Sequence, residues 1–285
     1  MKVVLFCGGA GMRLRGYADE VPKPMVQIGT RPILWHLMKY YAHFGHKDFI
    51  LCLGYKGNAI KDYFLHYDES VSNDFVWSKG GTQVQFLNRD IDDWTITFVE
   101  TGAKSNIGER LKAVEPYLKG EEMFLANYGD GLSDVPLPDM VETFQRSNAV
   151  ASLLLVQPTA SFDIVNAGPG GMVGEICPLT RSDIWINGGF FVMRKEIFGH
   201  IQPGEELVRE PFQRLIETQT LLAYKYNGFW QCMDTFKDKQ SLEDLNEGAA
   251  PWKVWNHIAK PAADHTGRAA TGVCSAITAK EGLIK

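Results

Sequence analysis

No stretch of this 285-residue chain approaches a membrane span: the longest apolar run, AVASLLLV from Ala149 to Val156, falls well short of the roughly 18 residues required. Cysteine is scarce. The five present form no CxxC pair, and Cys7, Cys52 and Cys232 sit inside apolar stretches, so a reduced, cytoplasmic protein is the simplest reading. After Val3–Cys7 (VVLFC) the chain turns to glycine and arginine, which gives no signal-peptide pattern. Positive charge is not in excess either: 29 Lys and Arg face 34 Asp and Glu, for a net charge of −5. That balance offers no electrostatic case for a nucleic acid polymer, whereas a small polyanion needs only a local cluster of cations. Linkers and internal repeats are also missing. With 45% hydrophobic residues the chain can bury a sizeable core, and residues 1–256 are expected to form a single domain. The remainder, 257–285, is small and polar, without periodicity, and no role is assigned to it.

What is present alternates. The runs VVLFC, FILCLG, ITFVET, MFLANYG and ASLLLV read as strands, several apolar throughout, as expected when both faces of a sheet are covered. Helical patterns lie between them at Pro32–His43, Asn58–Tyr67, Gly108–Leu118 and Leu137–Arg146. Such alternation predicts βαβ units and an α/β fold on a mainly parallel sheet. FVWSKGGTQVQFLNR, Phe75 to Arg89, alternates at period two around Lys79-Gly80-Gly81-Thr82 and predicts an inserted β-hairpin. Later come two more strands, WINGGFFVM and LLAYKYNGFWQCM, and a helix over Lys237–Glu247.

The first strand runs into CGGAGMRLRG, Cys7 to Gly16. Glycines after a strand let backbone N–H groups close around an anion. Two common phosphate loops do not fit. GxGxxG would need glycine at Leu14, and the Walker A spacing from Gly11 to Gly16 is followed by Tyr17-Ala18 in place of Lys-Ser/Thr. What remains is GGxGxRL, followed by Pro22-Lys23-Pro24-Met25.

That combination resembles the nucleotidyltransferases that join a nucleoside triphosphate to a sugar 1-phosphate. PILWHLMKYY, GYKG, YGDG, INGGFFV, FWQCMDT and APWKVW add a resemblance to the glucose-1-phosphate cytidylyltransferase branch, over roughly residues 1–256. The resemblance implies a Rossmann-like sheet of the nucleotide-diphospho-sugar transferase type. It also implies CTP and a sugar 1-phosphate as substrates, Mg²⁺ as cofactor, and direct in-line attack of the sugar phosphate on the α-phosphorus. A homo-oligomer is expected, with neither nucleic acid nor membrane as partner. Two alternatives stay open: a uridylyl- or thymidylyltransferase on another sugar phosphate, and a non-catalytic nucleotide-sugar binding homologue.

Bringing two polyanions together requires fixed positive charge. By resemblance, Gly8, Gly9 and Gly11 place backbone against the nucleotide, and Arg13 holds the β- and γ-phosphates. Lys23, stiffened by flanking prolines, is implied by the same resemblance to contact the reacting phosphates. Arg110, in the first turn of a predicted helix, lies near them. Asp130 in YGDG and Asp234 in FWQCMDT are the expected metal carboxylates, because Mg²⁺ takes one or two from protein and fills its shell with water and phosphate. Alone, Asp130 reads as a turn residue and Asp234 as a helix cap; together with GGxGxRL and PKPM they read as a site. Asn187 and Gly188 of the NGG motif, and Tyr128, are expected at the sugar. No Ser-His-Asp or Cys-His arrangement suggests a covalent nucleophile. One departure stands out: aligned on Pro178, the family's sugar-phosphate lysine is Cys177 here. A neutral thiol cannot replace an ammonium. Either Arg181 or another cation substitutes, or the sugar phosphate differs, or turnover is poor.

Overall fold

The computed structural model describes residues 1–9, 21–159 and 162–256. Gly11, Arg13 and the tail 257–285 lie outside the described residues. In chain order the strands and helices are β1 (Val3–Phe6), β2 (Gln27–Ile28), β3 (Arg31–Pro32), α1 (Ile33–His43), β4 (Asp48–Leu53) and α2 (Gly57–Leu65). A hairpin, β5 (Phe75–Ser78) and β6 (Gln83–Phe86), precedes β7 (Thr95–Glu100), α3 (Ile107–Val114), β8 (Met123–Tyr128), β9 (Gly131–Ser133) and α4 (Leu137–Gln145). Then follow β10 (Ala151–Val156), β11 (Asp163–Ala167), β12 (Val173–Pro178), β13 (Ile186–Arg194), α5 (Glu210–Glu217), β14 (Leu221–Tyr226), β15 (Trp230–Cys232) and α6 (Phe236–Glu247).

Seven strands form the central sheet in the order β14-β10-β13-β8-β1-β4-β7. β8, β1, β4 and β7 run parallel to one another, as do β10 and β14, while β13 is antiparallel to both of its neighbours. Successive side chains of a strand point to opposite faces, and here both faces are covered. Val3, Leu5 and Cys7 join an apolar cluster with α1, α4 and Trp252. Val4 and Phe6 join another with α3 and α5, through Leu111, Val114, Phe212 and Leu215. This double covering is why VVLF is apolar at every position.

α1 starts directly after Pro32, whose φ of −67° is fixed by its ring and which needs no N–H donor there. It ends at Gly45, whose φ of +86° lets His46 N–H reach Tyr41 O at 3.0 Å and Gly45 N–H reach Ala42 O at 3.0 Å. The inserted hairpin forms as expected, with Phe75 opposite Phe86. The short strands β2, β3 and β9 and the helix α5 lie outside the sequence reading, and the later strands differ from it. LLAYKYNGFWQCM is two strands, broken at Asn227-Gly228: β14 edges the central sheet, and β15 leaves it to pair with β9. A second hairpin, β11–β12, was not expected. Among the described residues no helix is long and apolar enough to cross a membrane. Cys7, Cys52 and Cys232 are free thiols.

Candidate active site

Four neighbouring parallel strands end side by side, and their continuations carry the site: Gly8 after β1, Gly54-Tyr55 after β4, Thr101 after β7 and Gly129-Asp130 after β8. The carboxyl ends of parallel strands are where open α/β sheets hold ligands. Lys23 begins a short 3₁₀ turn, Lys23–Met25, closed by Met25 N–H on Pro22 O at 2.8 Å. The flanking prolines fix the backbone there, as the sequence implies.

The two aspartates, about a hundred residues apart in sequence, are brought together by the β9–β15 ribbon. Its register sets Cys232 opposite Gly131, and Met233 N–H donates to Asp130 O at 2.9 Å. Asp234 follows at once, its N–H donating to Asp238 Oδ2 at 3.1 Å. The N-cap of α6 is Thr235, which forms a capping box with Asp238, so Asp234 is left to face the site rather than to cap the helix.

Lys23 Nζ lies 2.5 Å from Asp130 Oδ2 and 2.5 Å from Asp234 Oδ1, with the lysine side chain only 14% exposed. Burial works against the ammonium, but Asp130 and Asp234 outweigh it and hold the Lys23 pKa above the ordinary lysine value. Because both oxygens touch one nitrogen, they are at most about 5 Å apart. At that spacing and an effective dielectric near 20, two unpaired carboxylates repel by about 3 kcal/mol. The pair therefore requires a cation.

A hard divalent ion suits these donors. Octahedral Mg²⁺ bonds oxygen at about 2.1 Å, so two of its ligands lie about 3–4 Å apart, within the limit set here. Among the described residues no group of three or more His, Cys, Asp or Glu side chains could hold a metal, so Asp130 and Asp234 would be joined by water and phosphate oxygens, as is usual for Mg²⁺. Sequence reasoning missed a third participant. The Cys232 thiol donates to Asp234 Oδ2 at 3.6 Å, and burial, then Asp234, pushes its pKa up to about 12, so it remains protonated. The only available signal was the spacing Cys-Met-Asp.

Arg110 sits where its chemistry is less direct than expected. It is 3% exposed and donates to Leu53 O at 3.1 Å, Thr101 Oγ1 at 2.7 Å and Gly8 O at 3.1 Å. Tyr55 N–H donates to the same Gly8 carbonyl at 3.3 Å. A Cβ on Gly8 would fall 2.0 Å from Arg110 Nη1, whereas one on Gly9 would meet nothing within 4 Å. Gly8 is therefore glycine because Arg110 passes beneath it, and Gly9 opens outward. Arg110 supports Gly8 from inside the sheet.

On the other side of Asp130, Asn187 Nδ2 donates to Tyr128 OH at 3.3 Å, and Gly189 N–H donates to Asn187 Oδ1 at 2.9 Å. Gly189 has φ +76°, and a Cβ there would lie 2.5 Å from the Tyr128 ring. Gly188 is held from behind by Trp230, whose Nε1–H donates to Gly188 O at 2.8 Å. The structure thus joins Tyr128, Asn187 and Gly188 into one wall. A cavity of about 140 Å³ lies between Gly9, Lys23, Ile107, Tyr128 and Asp130. Arg181 is exposed on the turn Leu179–Arg181, and among the described residues no contact joins it to Lys23, Asp130 or Asn187. Cys177 is buried in β12.

Residues 2–235 match the nucleotidyl transferase family. The chain belongs to that family. It is 39% identical over 258 residues to the glucose-1-phosphate cytidylyltransferases of Salmonella typhi and Salmonella typhimurium, covering 90% of this chain and 100% of each relative. Among solved structures, a UDP-glucose pyrophosphorylase complexed with UDP-glucose shares the fold, with a TM-score of 0.63 at 13% identity over 86% of this chain and 98% of that one. This nucleotidyl transferase accordingly carries the mainly parallel sheet implied by its motifs, and Lys23, Asp130 and Asp234 meet at the carboxyl end of that sheet.

Proposed function

We propose that the chain joins CTP to glucose 1-phosphate or a related sugar 1-phosphate, giving a CDP-sugar and pyrophosphate. One observation carries the reading: two carboxylates and one ammonium from three distant segments meet within 2.5 Å contacts at the carboxyl end of the sheet. The 39% identity to cytidylyltransferases favours CTP over other nucleotides.

In the proposed reaction an oxygen of the sugar phosphate forms the new bond to the α-phosphorus. The α–β anhydride bond breaks, and its electron pair leaves on pyrophosphate. Asp130 and Asp234 would hold a divalent ion that neutralises charge on the phosphates. Lys23 supplies a preorganised positive charge beside them. Gly9 turns open backbone toward the nucleotide, next to Gly8, which Arg110 supports. Tyr128 and Asn187 offer a hydroxyl and an amide to the sugar. A covalent intermediate has no support among the free cysteines: burial pushes the Cys7 and Cys52 thiols up, and Cys232 rises to about 12.

A homo-oligomer belongs to the same reading. The hairpins β5–β6 and β11–β12 expose large apolar side chains, Trp77 at 65% and Leu87 at 61% by the first, Met172 at 79% and Ile176 at 63% on the second. Light scattering after size exclusion tests it; a monomer at micromolar concentration rejects it. For the reaction, pyrophosphate release is measured with each of CTP, UTP, dTTP and GTP against several sugar 1-phosphates. CTP with glucose 1-phosphate or a close analogue is expected to lead; release with another nucleotide alone overturns the cytidylyl assignment.

A further inference from the structure

The Lys23 ammonium occupies the place between Asp130 and Asp234, touching one oxygen of each at 2.5 Å. Its backbone is held by Pro22 and Pro24, and the side chain is largely shielded from water. A divalent ion bound by the same two oxygens and the ammonium cannot share that space, and their like charges repel. Metal arriving alone must therefore break both ion pairs and leave Lys23 without an anion in a shielded place. A triphosphate changes the balance, because its oxygens offer the ammonium a new partner beside the old one.

We propose that Lys23 keeps the metal site shut in the ligand-free protein, so that the divalent ion enters together with the nucleoside triphosphate, whose phosphates draw the lysine away. This rests on the functional reading above for the identity of the nucleotide. It adds an order of events: the free protein binds metal weakly, and the same lysine that later serves the phosphates enforces the coupling. The Cys232 thiol, donating to Asp234 Oδ2, leaves Asp234 oriented whether lysine or metal holds the other oxygen.

The test uses Mn²⁺ as probe on the full chain without nucleotide, with free Mn²⁺ read by electron paramagnetic resonance. Lys23→Met is expected to bind Mn²⁺ at least about tenfold tighter than the parent, while Lys23→Arg, which keeps the charge, stays near the parent. A Lys23→Met protein that melts cooperatively yet binds Mn²⁺ no tighter overturns the proposal. A second measurement uses the parent alone. In trace acetylation read by mass spectrometry, Lys23 is expected to react at least about tenfold more slowly than exposed Lys119. Equal rates for Lys23 and Lys119 in the free protein overturn the proposal even if Lys23→Met fails to fold. The two readings fail separately. CDP-sugar formation with unchanged Mn²⁺ affinity in Lys23→Met sinks the gate and keeps the function; gated Mn²⁺ binding without pyrophosphate release does the reverse.

Discussion

Replacing Gly8 with alanine tests how the loop after β1 is supported. The added methyl would lie 2.0, 2.2 and 2.6 Å from Arg110 Nη1, Cζ and Nη2, far inside contact distance, so the guanidinium must move. It has nowhere inexpensive to go: it is 3% exposed, and its three acceptors, Leu53 O, Thr101 Oγ1 and Gly8 O, lie on three different strand ends. Losing charged hydrogen bonds costs about 1.5–3 kcal/mol each, and partial relaxation leaves an expected total of about 3–5 kcal/mol, the range for disrupting a buried charge. For a chain of this size, that corresponds to a melting point lower by roughly 5–8 °C. The assay is urea unfolding of the parent, Gly8→Ala, Arg110→Met and the double variant. Arg110→Met also destabilises, because three acceptors each lose one donor, but the double variant should recover at least about 1.5 kcal/mol relative to additivity, since the methyl no longer meets a guanidinium. A Gly8→Ala protein within about 0.5 kcal/mol of the parent, or strict additivity, would refute the support role of Arg110.

Lys23→Ala is expected to lower kcat by about 10²–10³ while the protein stays folded, the scale for losing one preorganised charge at a developing anion; more than half the parental kcat removes Lys23 from the chemistry. Cys232→Ala should cost about tenfold in metal affinity in the presence of CTP, with Cys232→Ser restoring most of it, because a hydroxyl can still donate to Asp234; equal effects of both variants would reduce Cys232 to packing. His36 is buried, its Nδ1 facing Trp252 Nε1–H at 3.3 Å and its Nε2 facing Ile28 O at 2.9 Å, and burial lowers its pKa to about 4. The unfolded chain thus takes up a proton that the folded one refuses between about pH 6.5 and 4. Stability is expected to fall with pH across that window by about 3 kcal/mol, and His36→Gln should flatten that part of the urea-midpoint profile. An unchanged slope in the variant would reject the assignment.

Much of the architecture was legible because apolar runs on doubly covered strands are hard to mistake: β1, β4, β7, β8 and β10 fall where VVLFC, FILCLG, ITFVET, MFLANYG and ASLLLV stand. The β11–β12 hairpin was not, because its exposed positions carry Val165, Val173 and Ile176 beside glycines and blur the alternation. The split between β14 and β15 depends on which partner each half pairs with, a choice that no local pattern encodes. At the site, residue types were legible and relations were not. Nothing in the sequence sets Cys232 opposite Gly131, yet that register brings Asp130 and Asp234 to one lysine. Arg110 shows the limit most clearly: its place in the first turn of α3 was visible, but its inward direction follows from the glycines at 8 and 54 that leave it room.

The most direct test of the central claim is the mass of the product formed from CTP, glucose 1-phosphate and Mg²⁺ by the parent and by Asp234→Asn. The arrangement of Asp130, Asp234 and Lys23 predicts CDP-glucose and equimolar pyrophosphate from the parent, and neither from the variant or from the parent with EDTA, since a neutral amide is a poor ligand for a hard dication. A folded parent that makes no CDP-sugar from any sugar 1-phosphate, or an Asp234→Asn variant that makes it at the parental rate, would contradict the account.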